Sequence, residues 1–287
     1  MSESASGIKL HYEIYGSGDP VLCIHGFGAN LYTWRHLIAP LSAKYQLILV
    51  DLKGCGASPK PHDKQYSTQH HADLLYELIL KLDLTRLTLI GNSFGGTLAL
   101  LLAHKLCAEE PNRLAALFLI APGAYREYVP LFLTLLRVPL LGRAVHLFPA
   151  RLVTRFVLKG AYYDPGKITE DQVDAYARPL TEPGARYALF QTAKQIVPPN
   201  FDALIAKYED LPVPTFILFG NHDRVVNPIV GDKLHAALPY SELLQLDHCG
   251  HIPQEEKPAE TVESILKFLS SLEQEQGQGQ KQGQKQG

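Results

Sequence analysis

Apolar and polar residues follow two different periods along the first 124 residues. An alternating pattern over residues 7–15 predicts a half-buried strand. Runs rich in apolar residues are typical of buried strands and cover residues 21–25, 46–51, 87–90 and 114–121. Helical spacing of apolar residues predicts helices over 34–43, 68–82 and 97–107. Strands that alternate with helices predict a parallel sheet covered on both faces.

This alternation stops between residues 125 and 210, where the chain is apolar, interrupted by prolines and without a strand pattern. We expect several short helices here, either as an inserted cap or as extra core helices on the sheet. The strand and helix patterns then resume over 213–220, 228–238, 241–247 and 257–272. The predicted domains are therefore a core of 1–124 and 211–272 and a helical cap of 125–210. A Gln/Gly/Lys-rich tail over 273–287 is expected to be disordered.

The composition and charge of the chain exclude some classes of function. The chain has 287 residues with 27 Lys and Arg against 29 Asp and Glu, and no basic stripe that would indicate nucleic acid. The start of the sequence shows no signal-peptide pattern, and no apolar stretch is long enough to span a bilayer. Four cysteines lack metal-ligand spacing. We therefore expect a cytoplasmic protein with reduced thiols, no metal and no cofactor.

A serine stands between one of the predicted strands and a helix. The segment Gly91-Asn92-Ser93-Phe94-Gly95 has the layout of a nucleophile elbow, in which a strained turn exposes the serine hydroxyl. Glycines two positions on either side allow strand and helix to approach closely. The alternative is a glycine-rich turn whose serine only caps the helix.

A serine nucleophile needs a base, and the base needs a carboxylate that orients it. Asp223 follows the strand over 213–220, and His251 follows the strand over 241–247. Both lie where the carboxyl ends of parallel strands meet, the edge at which Ser93 is expected. His248 is a weaker alternative for the base.

Other polar residues receive structural interpretations. His25 is expected to brace the loop that follows its strand, and Asp51 to fix its own turn. His70 and His71 begin a predicted helix, and we expect both to be solvated.

Five motifs follow one another along the chain: His25-Gly26-Phe27-Gly28, Asp51-x-x-Gly54-x-Gly56-x-Ser58, Gly91-Asn92-Ser93-Phe94-Gly95-Gly96, Gly220-x-x-Asp223-x-x-Val226 and Gly250-His251-x-Pro253-x-x-Glu256-x-Pro258. Together they resemble the α/β-hydrolase fold family, in its branch with a helical cap. The resemblance implies an α/β fold with an eight-stranded, mostly parallel sheet flanked by helices.

The resemblance also implies roles for residues of this chain. Ser93 would be the nucleophile, His251 the general base and Asp223 its orienting acid. The backbone N–H groups of Phe27 and Phe94 would form the oxyanion hole.

The residue at the elbow favours one reaction over others. Haloalkane dehalogenases and soluble epoxide hydrolases of this fold use an aspartate there, whereas Ser93 favours acyl transfer and thus hydrolysis of carboxylic esters. Carbon–carbon hydrolases of ring-cleavage dienones are an alternative, since they resemble this chain at Gly-Asn-Ser and at Ala29-Asn30. They usually carry a tryptophan after the catalytic histidine, where this chain has Ile252. A ligand-capturing receptor or pseudoenzyme on the same fold is an alternative of another class.

The apolar stretch over 130–158 predicts a small-molecule ester with an apolar or lipid-like acyl group. We expect the substrate to contact Gly26, Asn92, Phe132, Leu136 and Val226. Arginines interspersed in the same stretch suggest a weak contact between the cap and a membrane surface. No nucleic-acid partner is expected.

Overall fold

A central sheet organises the protein, which we describe from a computed structural model covering residues 8–136 and 148–283. The described residues form one seven-stranded sheet in the order β1-β3-β2-β4-β5-β6-β7. The edge strand β1 is antiparallel to β3, and the other pairs are parallel. The strands are β1 Tyr12–Tyr15, β2 Pro20–Ile24, β3 Gln46–Val50, β4 Leu87–Asn92, β5 Leu114–Ile120, β6 Thr215–Gly220 and β7 Ser241–Leu246.

The number of strands corrects one expectation. The family resemblance implies eight strands, whereas the described residues contain seven. Each of the seven coincides with an alternating or apolar run in the sequence, and no residues carried the pattern of an eighth. The fold class itself, a mostly parallel sheet flanked by helices, is confirmed.

Helices connect the strands and cover the sheet. Those predicted from apolar spacing are observed as α1 Arg35–Ser42, α2 Thr68–Lys81, α3 Phe94–Glu109, α9 Ile229–Ala237 and α11 Pro258–Gly283. A short helix, α10 Pro253–Glu256, precedes the last one. Helix α11 continues through Gly283, and thus into the segment from 273 that the sequence predicts to be disordered.

The core lies on both faces of the sheet. Strands β2 and β4 are buried along their whole length because helices cover them from two sides. Leu75 of α2 and Leu98 of α3 belong to the core cluster on one face. Trp34 and Phe268 belong to the cluster on the other face. The two clusters hold the carboxyl ends of the strands at fixed positions along one edge.

Between β5 and β6 the described residues contain helices and connecting loops but no strand. The helices are α4 Leu131–Leu136, α5 Ala150–Ala161, α6 Glu170–Ala177, α7 Ala185–Gln195 and α8 Phe201–Ile205. We call this segment the insertion. Leu158 and Tyr176 of the insertion pack with Ile252, beside the predicted base. None of the helices in the described ranges combines the length and the hydropathy of a transmembrane span.

Candidate active site

Ser93 adopts a strained backbone conformation. Its φ is 55° and its ψ is −116°, a region that residues with a Cβ rarely adopt. The Ser93 side chain makes no capping hydrogen bond to α3, which argues against the interpretation of a simple helix cap. Its backbone N–H donates to Ile120 of β5, and its carbonyl accepts from Gly96 and Gly123. The turn is therefore held on both sides of the hydroxyl.

Two glycines allow this turn to form. A Cβ on Gly95 would lie 2.0 Å from the carbonyl oxygen of Ile24, and a Cβ on Gly91 would lie 2.4 Å from the carbonyl oxygen of Gly95. Strand β2, strand β4 and helix α3 therefore meet too closely at Ser93 for any side chain at these positions. This is the physical basis of the spacing read from the sequence.

His251 and Asp223 meet at the same edge. Nδ1 of His251 lies 2.7 Å from Oδ2 of Asp223, and both residues are buried. The other carboxylate oxygen accepts from the N–H groups of Val225 at 2.7 Å and Val226 at 2.9 Å. These donors fix the carboxylate, which in turn holds the imidazole with Nε2 on the side of the ring away from Asp223.

His248 lies elsewhere. It is exposed, and its ring stacks on that of His222 with the centroids 5.7 Å apart. The structure therefore favours His251 for contact with Asp223.

The elbow and His251 are connected through the side chain of Asn92, the residue before Ser93. The side-chain amide of Asn92 donates to the carbonyl oxygen of Ile120 at 3.1 Å and to that of His251 at 3.2 Å. In the part of the chain that the structure describes, no hydrogen bond joins the Ser93 hydroxyl to the imidazole. Such contacts often tighten only when substrate binds. The three side chains therefore share one strand edge, and their catalytic roles stay predictions.

The loop after β2 approaches Ser93 as the motif suggests. A Cβ on Gly26 would lie 3.2 Å from the Cβ of Ser93. The next residue, Phe27, and the residue after the serine, Phe94, carry the predicted oxyanion donors. Both line a small space between this loop and the helix Ala185–Gln195.

His25 braces this loop. Its Nε2 accepts from the N–H of Leu52 at 3.0 Å, and its Nδ1 lies 2.8 Å from the carbonyl oxygen of Gly26. Burial lowers the pKa of His25, although the charge of Asp51 acts in the opposite direction. The ring is therefore neutral and links the loops after β2 and β3.

Asp51 fixes its turn, as predicted, through 2.8 Å hydrogen bonds from the N–H groups of Leu31 and Ala57.

The predicted substrate contacts have different surroundings. Gly26 lies against Ser93, and Val226 is buried with its N–H bonded to Asp223. Asn92 is buried and directs its amide to backbone oxygens, so its contacts fit a positioning residue. The side chains of Phe132 and Leu136 lie outside the described residues.

The roles of three residues near the site were missed or misread in the sequence, although Glu256 stands in the fifth motif. His71 is only 1% exposed, against the expectation of a solvated residue. It lies on the face of α2 that also buries Leu74, Leu75 and Leu78, so helical spacing carried a signal for its burial.

Glu255 and Glu256 are buried and join the insertion to the core. The Glu255 carboxylate accepts from Thr33, Arg35, Gln172 and Tyr176. Glu256 accepts from the backbone N–H groups of Gly250, Tyr163 and Asp164. The Glu255 partners are distant in sequence, so nothing in the sequence pattern could have indicated them.

Comparison with known proteins agrees with the fold. A model of the alpha/beta hydrolase fold matches residues 19–258. Lipase 1 of Psychrobacter immobilis is 28% identical over 279 residues, covering 94% of this chain and 83% of the lipase. The soluble epoxide hydrolase of Corynebacterium sp. (strain C12) is 25% identical over 287 residues, covering 93% of this chain and 96% of that enzyme.

A similar solved structure is that of a variant of CumD, the meta-cleavage product hydrolase from Pseudomonas fluorescens IP01. It is 25% identical, has a TM-score of 0.79, and covers 93% of this chain and 97% of its own. These proteins are named for different reactions, so similarity alone does not select the chemistry of this site.

Proposed function

Because the chain belongs to the α/β hydrolase fold family, we propose that it hydrolyses carboxylic esters through an acyl-enzyme formed on Ser93. One observation carries the proposal: Ser93 has the strained dihedral angles of an elbow, at the strand edge where His251 contacts Asp223. A serine there favours attack on a carbonyl carbon over the alkyl-enzyme chemistry of an elbow aspartate.

Each step uses groups of this chain and water. His251 takes the proton of the Ser93 hydroxyl as its oxygen attacks the ester carbonyl, and Asp223 stabilises the imidazolium that forms. The N–H groups of Phe27 and Phe94 bind the negative oxygen of the tetrahedral intermediate. His251 then protonates the leaving alcohol. Water then attacks the acyl carbon as His251 removes its proton, and His251 returns that proton to the Ser93 oxygen as the acid leaves.

Turnover of p-nitrophenyl esters tests this proposal. We expect steady hydrolysis by the wild type, and a loss of activity in Ser93→Ala without a change in the circular dichroism spectrum. Ser17→Ala, at an exposed loop serine, is the matched control and should keep full activity. A single burst that stops would indicate a ligand-capturing receptor instead, and equal activity in Ser93→Ala would exclude the proposed nucleophile.

Carbon–carbon bond hydrolysis is the second candidate, favoured by the similarity to CumD over 93% of this chain. The residue after the proposed base argues against this reaction. It is Ile252, buried among Leu158 and Tyr162 of the insertion, whereas the carbon–carbon hydrolases usually carry a tryptophan there. A ring-cleavage dienone assayed with the same variants separates the two reactions. Faster Ser93-dependent turnover of the dienone than of esters would select this candidate.

The acyl group, location and partners complete the proposal. An apolar or lipid-like acyl group is supported by the apolar composition of the insertion, which would act as a cap. A series of acyl chain lengths tests it, and best activity on acetyl esters would contradict it. The four cysteines are free, which supports a cytoplasmic location.

A weak contact with a lipid surface is supported by the exposed side chains of Phe148, Leu152 and Phe156. Co-sedimentation with anionic vesicles tests it, and loss of binding in Phe156→Ser is expected.

A further inference from the structure

The loop after β2 carries the proposed oxyanion donor Phe27, and Asn30 ends it. We call residues 26–30 the oxyanion loop. Its first part is a turn in which the N–H of Ala29 donates to the carbonyl oxygen of Gly26 at 3.2 Å. Asn30 is only 6% exposed, and its side-chain oxygen accepts from the N–H of Tyr32 at 3.0 Å. This oxygen therefore caps the 3₁₀ turn that follows the loop.

The nitrogen of the same side chain bonds to the insertion. Nδ2 of Asn30 donates to the carbonyl oxygen of Ala175, in the last turn of α6, at 3.1 Å. A helical carbonyl normally accepts from the N–H four residues later, but here that residue is Pro179, which has no N–H. The Ala175 carbonyl thus needs another donor, and Asn30 supplies it from 145 residues away. One amide therefore joins the oxyanion loop to the end of α6.

Helix α6 also contacts the segment of the proposed base. Tyr176 and Gln172 of this helix donate to the buried carboxylate of Glu255, which follows His251 by four residues. The ring of Tyr176 stands edge-on to that of Tyr32, with the centroids 5.8 Å apart. One helix of the insertion is therefore bonded both to the loop of an oxyanion donor and to the segment of the base.

We propose that Asn30 is a positioning residue for ester hydrolysis: through its bond to Ala175 it orients the N–H of Phe27 towards the negative oxygen of the tetrahedral intermediate. The inference rests on the proposed function and adds a residue to it. An oxyanion donor is effective when its direction is fixed before the reaction, and a displacement of about 1 Å can cost about 10²-fold in rate. Because the charge on oxygen develops only in the transition state, Asn30 should affect that state and not the bound ester.

Two substitutions remove the bond to the insertion and keep the local cap. Asn30→Ser and Asn30→Asp both retain a side-chain oxygen for the N–H of Tyr32, since serine and aspartate cap as well as asparagine does. The carboxylate has no proton to donate to Ala175, and the serine hydroxyl ends one bond short of the position of Nδ2. Aspartate matches the size of asparagine, whereas serine avoids a buried charge. Asn112→Ala, at an exposed position in the turn before β5, is the matched control.

Steady-state kinetics with p-nitrophenyl esters provide the first measurement. We expect kcat and kcat/KM of both Asn30 variants to fall equally, by about 10- to 100-fold, because only the transition state loses an interaction. Asn112→Ala should match the wild type. A wild-type kcat in both Asn30 variants, or a change confined to KM, would overturn the inference.

A pair of ketones separates positioning from a merely structural role. The Ser93 oxygen adds to the carbonyl carbon of hexyl trifluoromethyl ketone, the serine proton passes to His251, and the former carbonyl oxygen becomes negative. Hexyl methyl ketone binds without this addition, so the ratio of the two inhibition constants measures how well the site stabilises an oxyanion. We expect the preference for the fluorinated ketone to fall about 10-fold or more in both Asn30 variants and to stay unchanged in Asn112→Ala. An unchanged preference would overturn the inference, even if the variants melt at a lower temperature.

The two proposals fail in different ways. A wild type that prefers the fluorinated ketone, with the preference lost in Ser93→Ala, supports the proposed nucleophile. If the Asn30 variants then keep this preference, the positioning role is contradicted and ester hydrolysis stands. If the wild type shows neither the preference nor ester turnover, the proposed function is contradicted, and the positioning role with it.

Discussion

The backbone N–H of His251 donates a 2.7 Å hydrogen bond to the carbonyl oxygen of Ala161, the last residue of α5. The carbonyl oxygen of His251 in turn accepts from Asn92, the residue before the proposed nucleophile. The peptide groups on both sides of the proposed base are thus held, one by the insertion and one by the elbow. The position of the imidazole depends on both.

Gly250 allows the insertion to come this close. A Cβ at this position would lie 2.2 Å from the carbonyl oxygen of Ala161 and 2.7 Å from the N–H nitrogen of Tyr163. We expect Gly250→Ala to lower the free energy of unfolding by about 1–3 kcal/mol, as overpacking does, and to reduce ester turnover because His251 is displaced. Urea unfolding and kcat measure the two effects.

The matched control is Gly160→Ala, one residue before the contact. No atom lies within 4 Å of the Cβ that it would add, and the position is an exposed site inside α5. Since glycine weakens a helix, this variant should gain about 0.5–1 kcal/mol with unchanged turnover. Similar stability and activity in the two variants would contradict the close packing.

Replacing the proposed acid separates its charge from its shape. Asp223→Asn keeps the size of the side chain that accepts from Val225 and Val226, but it no longer stabilises an imidazolium at His251. We expect kcat for esters to fall about 10⁴-fold, as in other serine triads, with an unchanged melting curve. Asp247→Asn, at an exposed carboxylate after β7, serves for comparison and should keep its activity. Full activity in Asp223→Asn would require another acid.

The buried Glu255 carboxylate should contribute more to the free energy of unfolding than a surface ion pair does. Its side chain is 1% exposed, and Arg35, Tyr176 and Gln172 all donate to it. Glu255→Ala leaves these donors unpaired, so we expect the free energy of unfolding to fall by about 3 kcal/mol. Glu242→Ala, at an exposed position of β7, should change it by less than about 0.5 kcal/mol. Equal losses in the two variants in urea titrations would contradict the network.

His71 should make stability depend on pH. The pKa of His71 is about 3 in the folded protein, against an ordinary value of 6.5. Between pH 6.5 and 3 the imidazole is therefore protonated in the unfolded chain but not in the folded one. The free energy of unfolding is therefore expected to fall as the pH drops from 6.5 towards 3. One proton contributes at most about 1.4 kcal/mol per pH unit. His71→Leu should show a correspondingly smaller slope in urea titrations at several pH values. Equal slopes would contradict the burial of an uncharged ring.

Hydrophobic patterning was sufficient for the sheet because each strand leaves a local signal. The run at Leu87–Asn92 and the helix at Phe94–Glu109 are continuous in sequence, and the glycines between them mark the turn. The eighth strand had no such run and came from resemblance alone, which is why the count was wrong. Ser93, Asp223 and His251 could be chosen as candidates because each follows a strand at one edge, and their roles stay predictions.

Contacts between distant segments left no pattern to read. The Glu255 carboxylate bonds to Thr33, 222 residues away, and nothing in the local sequence marks that pairing. His71 is different, because its spacing from Leu74 and Leu78 indicated a buried face of α2. Because histidine is polar, it was expected to be solvated despite this spacing. A histidine can nevertheless be buried when it stays uncharged.

The conformation of Ser93 has a consequence for refolding. Its φ of 55° and ψ of −116° are maintained only by neighbours from separate segments, since Gly95 packs on the carbonyl of Ile24 and the N–H of Ser93 bonds to β5. A chain in which these segments have not yet assembled has no force that opposes relaxation of the turn. After dilution from denaturant, ester turnover should therefore return only once the central strands have assembled.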